Sequence, residues 1–177
     1  MKSTKLSLST FFVICLCFIF NASVPTLSLK LYEIVCNQAA QDRNDCLNFL
    51  KDDSRIIAAT NYHDLSRYIL NFAISEATSV QAYVRTLAKH NPNDEALRLC
   101  GNDFYNKILG AFNRALSELN MDPQSAKNDV QSASDGVASC EKAIQNHKGT
   151  YDPAVHVRNN EIFVLSEVAF ISINHLT

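Results

Sequence analysis

The segment Asp122–Asn146 reads DPQSAKNDVQSASDGVASCEKAIQN, and it decides the fold class. Its apolar positions recur in alternating steps of four and three residues, which places them on one face of an α-helix: Ala126, Val130, Ala133, Val137, Cys140 and Ile144. Asp122 followed by Pro123 is a typical helix start, because the aspartate accepts from free backbone amides and proline suits the first helical position. The segment therefore predicts an amphipathic helix with one narrow buried face.

Three other segments show helical periodicity. The first extends from about Thr60 to about Lys89 without glycine or proline. The second follows Asn91-Pro92, another cap-then-proline pair, and has an apolar stripe of its own: Cys100, Phe104, Ile108, Ala111, Ala115 and Leu119. The last extends from about Asn160 to Leu176, is apolar on more than one side, and follows a predicted loop over residues 147–153. Four such helices with short connections predict an all-α, antiparallel up-and-down four-helix bundle.

The N-terminal part of the chain divides into two predicted pieces. Lys2 and Lys5 precede an apolar run over residues 11–20, which is too short to span a membrane and is followed by small residues. We predict a secretory signal peptide over residues 1–28, cleaved after Ser23 or Ser28, and a bundle domain over residues 29–177. Residues 31–52 are expected to form a short N-terminal α-hairpin that precedes the bundle. The mature protein is then extracellular, with no membrane segment.

Four cysteines remain once the predicted signal peptide is removed, and in an oxidising compartment they predict two disulfides. In an antiparallel helical hairpin, residues equidistant from the turn lie at the same height. Cys36 and Cys46 are each five residues from the middle of the first turn, and Cys100 and Cys140 are each 20 residues from the turn before the third helix. The predicted bridges are therefore Cys36–Cys46 and Cys100–Cys140.

Signals for chemistry are weak. The 16 Lys and Arg residues nearly balance 18 Asp and Glu residues, which argues against a nucleic-acid partner. No glycine-rich phosphate loop, paired C-x-x-C motif or H-x-x-x-H spacing is present. His63-Asp64 is better explained as the polar first turn of the long helix than as part of a catalytic site. We predict no catalytic residue, no metal site and no cofactor, and we do not expect an enzyme.

The outer face of the third helix is a candidate surface for a protein partner. Its side chains are small, polar and mostly uncharged: Lys127, Asn128, Gln131, Ser132, Ser134, Asp135 and Ser139. Short side chains lose little rotamer entropy on contact, so such a face suits docking.

The cysteine register and its surroundings resemble a known family. The motifs are Leu99-Cys100, Phe104-Tyr105, Ala115-Leu116, Ser132-Ala133 and Cys140-Glu141, in a chain that begins with a signal peptide and a cysteine-bridged hairpin. Over about residues 31–176 the chain is similar to the plant invertase and pectin methylesterase inhibitor family. The resemblance implies a hairpin followed by a four-helix bundle, the same two bridges, and secretion to the plant cell wall, the apoplast.

The resemblance also implies a target enzyme. Invertase-inhibiting members typically read Pro-Lys-Phe at the turn before the third helix, where this chain reads Pro123-Gln124-Ser125. Only the proline matches, so we expect an inhibitor that sterically blocks a cell-wall pectin methylesterase in a one-to-one complex. The alternatives are an inhibitor of cell-wall or vacuolar acid invertase that uses this turn, a non-inhibitory secreted carrier or signal bundle, and a stand-alone hydrolase.

Overall fold

The computed structural model describes residues 29–146 and 152–177, in which all regular structure is helical. Within these residues the eight α-helices are α1 (Leu31–Gln38), α2 (Arg43–Leu50), α3 (Ser54–Ala58), α4 (Tyr62–His90), α5 (Glu95–Leu99), α6 (Tyr105–Glu118), α7 (Pro123–Asn146) and α8 (Pro153–Asn174). A 3-10 turn, Ala40–Asp42, joins α1 to α2, and a π-helical turn, Cys100–Phe104, joins α5 to α6. The predicted signal peptide and residues 147–151 of the predicted loop lie outside the described residues.

The long helices pack in the predicted order. Helix α4 packs on α6, α6 on α7, α7 on α8, and α8 returns to α4. Side-chain contacts show that neighbours are antiparallel: along α4, Ser66 contacts Ser172 while Tyr83, further on, contacts Asp152 at the start of α8. The antiparallel up-and-down four-helix bundle is confirmed. Helices α4 and α7 lie diagonally opposite each other.

The N-terminal α-hairpin and both predicted disulfides are also confirmed. Cys36 bonds to Cys46 with their Cα atoms 5.5 Å apart, closing the hairpin of α1 and α2. Cys100 bonds to Cys140 with a Cα separation of 4.8 Å, joining the start of the π-helical turn to α7. The hairpin packs against α8 and α4. Among the described helices, none combines the length and the hydropathy that a membrane span needs.

All six apolar residues on the predicted buried face of α7 are buried, and so is Gly136 between them. A Cβ atom at Gly136 would lie only 2.7 Å from Cγ1 of Ile108 on α6. Glycine inside a helix costs about 1 kcal/mol relative to alanine. At this position the missing Cβ lets α6 and α7 approach closely, which explains why a poor helix former occurs in the middle of α7.

The predicted starts of two helices were wrong. Asn91 ends α4 and does not begin the next helix, because the N-cap of α5 is Asp94, whose carboxylate accepts from the backbone N–H of Leu97 at 3.1 Å. Helix α8 begins at Pro153 instead of near Asn160. The Asp152 carboxylate accepts from the N–H of Ala154 at 2.8 Å, so Asp152-Pro153 starts α8 by the same chemistry as Asp122-Pro123 starts α7.

The predicted second stripe does not lie on one uninterrupted α-helix. The π-helical turn at Cys100–Phe104 interrupts it, and the Gly101 carbonyl accepts from Nε of Arg85 on α4 at 3.0 Å. A backbone carbonyl in an irregular turn needs a partner of this kind, and a side chain from the neighbouring helix supplies it. Past the turn, Ile108, Ala111 and Ala115 are buried, as the stripe predicts.

Candidate functional site

The outer face of α7 is accessible, as its sequence predicts. Gln131, Ser132, Asp135 and Ser139 are exposed together with Asn128, while Lys127 and Ser134 are half-buried. This follows from the amphipathic pattern of α7, because its apolar face packs into the core and the opposite face must point outwards. We refer to these seven residues as the α7 face.

The structure divides the α7 face between two grooves. Ser132 lines a groove of about 480 Å³ between α7 and α6, opposite Lys107, Gly110 and Arg114. Gln131, Ser134 and Asp135 line a groove of about 270 Å³ between α7 and α8, whose far wall includes Phe163, Glu167 and Phe170. A partner that covers α7 therefore meets a different chemical surface on each side of the helix, polar and basic towards α6, and aromatic and acidic towards α8.

The serine side chains do not protrude far from the α7 face. Ser132 Oγ donates to the carbonyl of Asn128 at 3.0 Å, and Ser139 Oγ donates to the carbonyl of Asp135 at 2.8 Å. Both hydroxyls thus bond to the preceding turn of their own helix. The face presents a ridge with short side chains on which another backbone can lie closely.

Lys127 lies at the edge of the α7 face. Its Nζ donates to Oδ1 of Asn174 at 3.1 Å and sits 5.5 Å from the centre of the Phe170 ring. Both partners belong to α8, so the lysine links α7 to the final turns of α8. It contributes a positive charge beside the α7–α8 groove, but its position is determined by contacts within the bundle.

The turn residues Pro123, Gln124 and Ser125 differ in how accessible their side chains are to a protein partner. Pro123 is the first residue of α7, and the side chain and backbone N–H of Ser125 both donate to Asp122, at 2.7 and 3.0 Å. These hydrogen bonds lower the pKa of Asp122. Gln124 is exposed, and its side chain donates to Asn128 at 3.2 Å. Of the three, Gln124 is best placed to meet a partner.

The α6 wall of the first groove was missing from the sequence-based site. Arg114 on α6 forms a two-pronged ion pair with Asp129 on α7, with Nη2 2.6 Å and Nε 3.0 Å from Oδ1. Burial and then the charge of Asp129 raise the pKa of Glu118 beside this pair. The periodicity of α6 predicts that Arg114 points away from the core. Only the packing of α6 on α7 shows that it flanks Ser132.

A second polar cluster surrounds the buried Asn159 and lines a separate groove of about 430 Å³ between α7 and α8. Asn159 accepts from the Tyr105 hydroxyl at 2.7 Å and donates to Glu141 at 2.9 Å, and His156 donates to the same carboxylate at 2.7 Å. Burial opposes ionisation of Glu141, but the hydrogen bonds from Asn159, His156 and Gln145 prevail and lower its pKa. Burial also raises the pKa of Tyr105. The cluster packs against the Cys100–Cys140 bridge, since Asn159 also contacts Cys140 Sγ at 3.3 Å.

Among the described residues, no cluster of side chains forms a metal-binding site. Over 29–146 and 152–177, no group of three or more His, Cys, Asp and Glu side chains is arranged to hold an ion. Asp64 of the His63-Asp64 pair accepts from Asn61 and Arg67 in the first turn of α4, which is the structural role that its sequence position predicts.

Comparisons with known proteins agree on one group. The family described as plant invertase/pectin methylesterase inhibitor matches residues 30–171. A mutant form of a pectin methylesterase inhibitor from Arabidopsis has the same fold, with a TM-score of 0.72 and 21% identity over 82% of this chain and 97% of that one. A pectin methylesterase inhibitor from Arabidopsis thaliana gives a TM-score of 0.62 at 21% identity, over 82% and 95% of the two chains.

The comparison with curated protein sequences finds no significant match. The family match nevertheless spans the hairpin, both disulfides and nearly all of the bundle, so the predicted resemblance is confirmed. The chain belongs to the plant invertase/pectin methylesterase inhibitor family.

Proposed function

We propose that the protein is a secreted inhibitor that blocks a cell-wall pectin methylesterase by laying the α7 face across the active-site cleft in a one-to-one complex. The observation that carries the proposal is the family match over residues 30–171, which supports an inhibitor of either pectin methylesterase or invertase. The choice between the two targets rests on residues 123–125, where only Pro123 agrees with the invertase-inhibiting pattern.

The physical properties of α7 fit steric inhibition. Helix α7 is held to α6 by the Cys100–Cys140 bridge and the Arg114–Asp129 pair, and to α8 by contacts of Lys127 and Glu141. An inhibitor that is already rigid loses little conformational entropy on binding. The exposed serines then allow close approach along the ridge without displacing long side chains.

The test is a substitution on the ridge with a matched control. Arginine at Ser132 or Ser139 adds a long charged side chain to the α7 face, and neither serine contributes a side chain to the core. We expect Ser132→Arg and Ser139→Arg to weaken inhibition of a pectin methylesterase by about tenfold or more, which corresponds to about 1.4 kcal/mol of binding free energy. Ser75→Arg places the same change on an exposed site of α4, diagonally opposite, and is expected to leave inhibition unchanged.

The assay uses a panel of pectin methylesterases and acid invertases between pH 5 and 7, with circular dichroism to verify that each variant is folded. Native mass spectrometry measures the stoichiometry, for which we expect one inhibitor per enzyme. Equal loss of inhibition from Ser75→Arg and Ser132→Arg would overturn the assignment of the docking face. Absence of inhibition across both panels would overturn the proposed function and favour a carrier or signal bundle, whereas substrate turnover by the chain alone would indicate a hydrolase.

The invertase alternative makes a different prediction at the turn before α7. Gln124→Lys together with Ser125→Phe restores the two residues of the invertase-inhibiting pattern. We expect this variant to gain or strengthen inhibition of acid invertase, measured as the inhibition constant. Gln124→Lys alone is the cleaner change, since Ser125→Phe also removes the 2.7 Å hydrogen bond to Asp122. Strong invertase inhibition by the unmodified chain would instead support the alternative function.

A further inference from the structure

Two grooves between α7 and α8 adjoin at one exposed aromatic side chain. The groove of about 430 Å³ beside the Asn159 cluster and the groove of about 270 Å³ beside the α7 face are both lined by Ala138 and Phe163. Along α7 the combined groove extends from Val130 to Gln145, which is about 22 Å at about 1.5 Å per helical residue. We refer to this combined groove as the aromatic groove. Its length suits an extended segment of about six or seven residues from a protein partner.

Phe163 lies where the two grooves meet, and its ring is open to a partner. The residue is 40% exposed, and within the described residues no cation or second ring lies over it. Single exposed apolar side chains are common on protein surfaces, but Phe163 shares its groove with Ala138 and the half-buried Phe170. A contiguous apolar patch with an aromatic residue is typical of a protein-binding surface.

The charge of the aromatic groove differs between its two ends. Asp135 is exposed at the end beside the α7 face, and within the described ranges it forms no ion pair. Glu167 lines the same end, but burial raises its pKa to about 7, so Asp135 is the main negative charge there at acidic pH. The other end is lined by Lys142 and His156. A cationic group of a partner is therefore attracted to the Asp135 end and disfavoured at the other.

The side chains of this end select an arginine or a lysine of the partner. A cation over an aromatic ring is attracted to the face of the ring, and arginine also stacks on it. The apolar stem of such a side chain covers apolar surface while its head bonds to a carboxylate. Phe163 and Asp135 line the same groove, so one long cationic side chain can contact both.

The occupant follows from how the α7 face is used, so this inference rests on the proposed function. If α7 enters the cleft of the target, one wall of the cleft lies over the groove between α6 and α7 and the other lies over the aromatic groove. We propose that the aromatic groove receives an apolar wall of the pectin methylesterase cleft that carries an arginine or lysine, whose side chain lies over Phe163 and contacts Asp135.

The same chemistry determines the direction in which the inhibitor lies in the cleft. On the other side of α7, the groove is lined by Lys107 and Arg114. Lys107 is exposed, and among the described residues it has no ion-pair partner. A reversed orientation would place the cationic wall beside Lys107, where like charges repel. The wall over the groove between α6 and α7 is thus expected to be polar or acidic.

Phe163→Ala tests the aromatic contact. We expect the inhibition constant for a pectin methylesterase to rise by about tenfold or more, since a buried aromatic anchor contributes strongly to an interface. Val157→Ala is the matched control, because Val157 is a 65% exposed apolar residue of the same helix that lines neither part of the aromatic groove. It is expected to leave inhibition unchanged. If Phe163→Ala is not folded by circular dichroism, Phe163→Leu keeps an apolar side chain without the ring and has the same expected direction.

Asp135→Lys tests the charge. It places a cation at the position where the proposed arginine or lysine of the enzyme arrives, so the inhibition constant is expected to rise by about tenfold or more. Asp135→Glu keeps the charge and is expected to retain inhibition. Asp45→Lys makes the same change of charge at an exposed site of the N-terminal hairpin, and it is expected to have no comparable effect.

Photochemical cross-linking of the inhibitor–enzyme complex identifies the enzyme segment. p-Benzoylphenylalanine is introduced in place of Phe163 and, in a separate variant, in place of Lys107. Mass spectrometry of the digested complex then shows which enzyme peptides are attached. From position 163 we expect a peptide with apolar residues and an arginine or lysine. From position 107 we expect a different peptide, from the opposite wall of the cleft.

The outcomes separate this inference from the proposed function. Unchanged inhibition by Phe163→Ala and Asp135→Lys, together with loss of inhibition by Ser132→Arg, would overturn the inference and leave the proposed function intact. Attachment of both cross-linking positions to the same enzyme peptide would contradict the orientation. Absence of inhibition by the unmodified chain would overturn the proposed function, and this inference with it.

Discussion

At the residue scale, the polar groups inside the bundle are hydrogen-bonded to side chains from neighbouring helices. The buried Asn159 is hydrogen-bonded to the buried Tyr105 and Cys140 and to the half-buried Glu141. Arg85 satisfies the carbonyl of Gly101, which lies in the π-helical turn. These contacts compensate for polar groups that the bundle removes from water, and without them each group would be costly to bury.

Gly136 supports a stability prediction at this scale. In Gly136→Ala the new Cβ meets Cγ1 of the fully buried Ile108 at 2.7 Å, so α6 and α7 must shift. We expect overpacking of about 1–3 kcal/mol to exceed the gain in helix propensity and to lower the free energy of unfolding, measured by urea denaturation.

Gly110→Ala is the matched control, because its Cβ would meet only Arg114 Nη1, at an ordinary 3.6 Å. This variant is expected to be neutral or more stable, by up to about 1 kcal/mol. If the two alanine variants changed stability equally, close helix contact at Gly136 would not explain the glycine.

At the element scale, the two disulfides connect different kinds of neighbours. Cys36–Cys46 closes a short hairpin with a sequence separation of 10, whereas Cys100–Cys140 joins two bundle elements separated by 40. The second bridge also lies beside the polar cluster around Asn159. Its loss therefore affects both the entropy of the unfolded chain and the packing of α7 in the folded one.

The prediction is that Cys100→Ser with Cys140→Ser lowers Tm more than Cys36→Ser with Cys46→Ser. Chain entropy alone favours the longer loop by roughly 1 kcal/mol, and disruption around Asn159 adds to the difference. Differential scanning calorimetry of both double variants under the same conditions provides the measurement. Equal or reversed shifts in Tm would contradict this view of the bundle core.

At the scale of the whole molecule, a four-helix bundle carries a smaller cross-linked hairpin that packs against it. Removal of the predicted signal peptide takes away Lys2 and Lys5, which leaves 14 basic and 18 acidic residues and a formal charge of −4. A modestly acidic bundle that is braced by disulfides suits the proposed role in a complex that is governed by shape and local contacts more than by long-range attraction.

Processing is testable on the intact chain. On expression in a plant secretory system, we expect the protein in the medium to begin at Val24 or Leu29, as determined by N-terminal sequencing. Substituting charged residues into the apolar run over residues 11–20 is expected to keep the protein inside the cell. Recovery of secreted protein that begins at Met1 would contradict the predicted cleavage.

Some predictions from sequence were incomplete because the deciding signals were ambiguous. Asn91-Pro92 and Asp152-Pro153 have the same cap-then-proline pattern, but the expected roles, a helix start for the first and a loop for the second, are reversed in the structure. Asn91 ends α4, and Asp152 is the N-cap of α8. A cap residue can be used on either side of a boundary, so the choice depends on where the neighbouring helices pack. The π-helical turn could not be predicted from the sequence for a related reason. One extra residue in a helical turn barely changes the spacing of the apolar residues.

The sequence by itself determined the number of bundle helices, the buried face of α7 and the pairing of the cysteines. These follow from periodicity and from distances to turns, which are properties of short stretches of chain. Only the tertiary structure decided how the α7 face is divided between two grooves, why position 136 is glycine, and that Arg114 flanks Ser132. Each of these depends on side chains that are distant in sequence and adjacent in space, and no local pattern records which neighbour a side chain will meet.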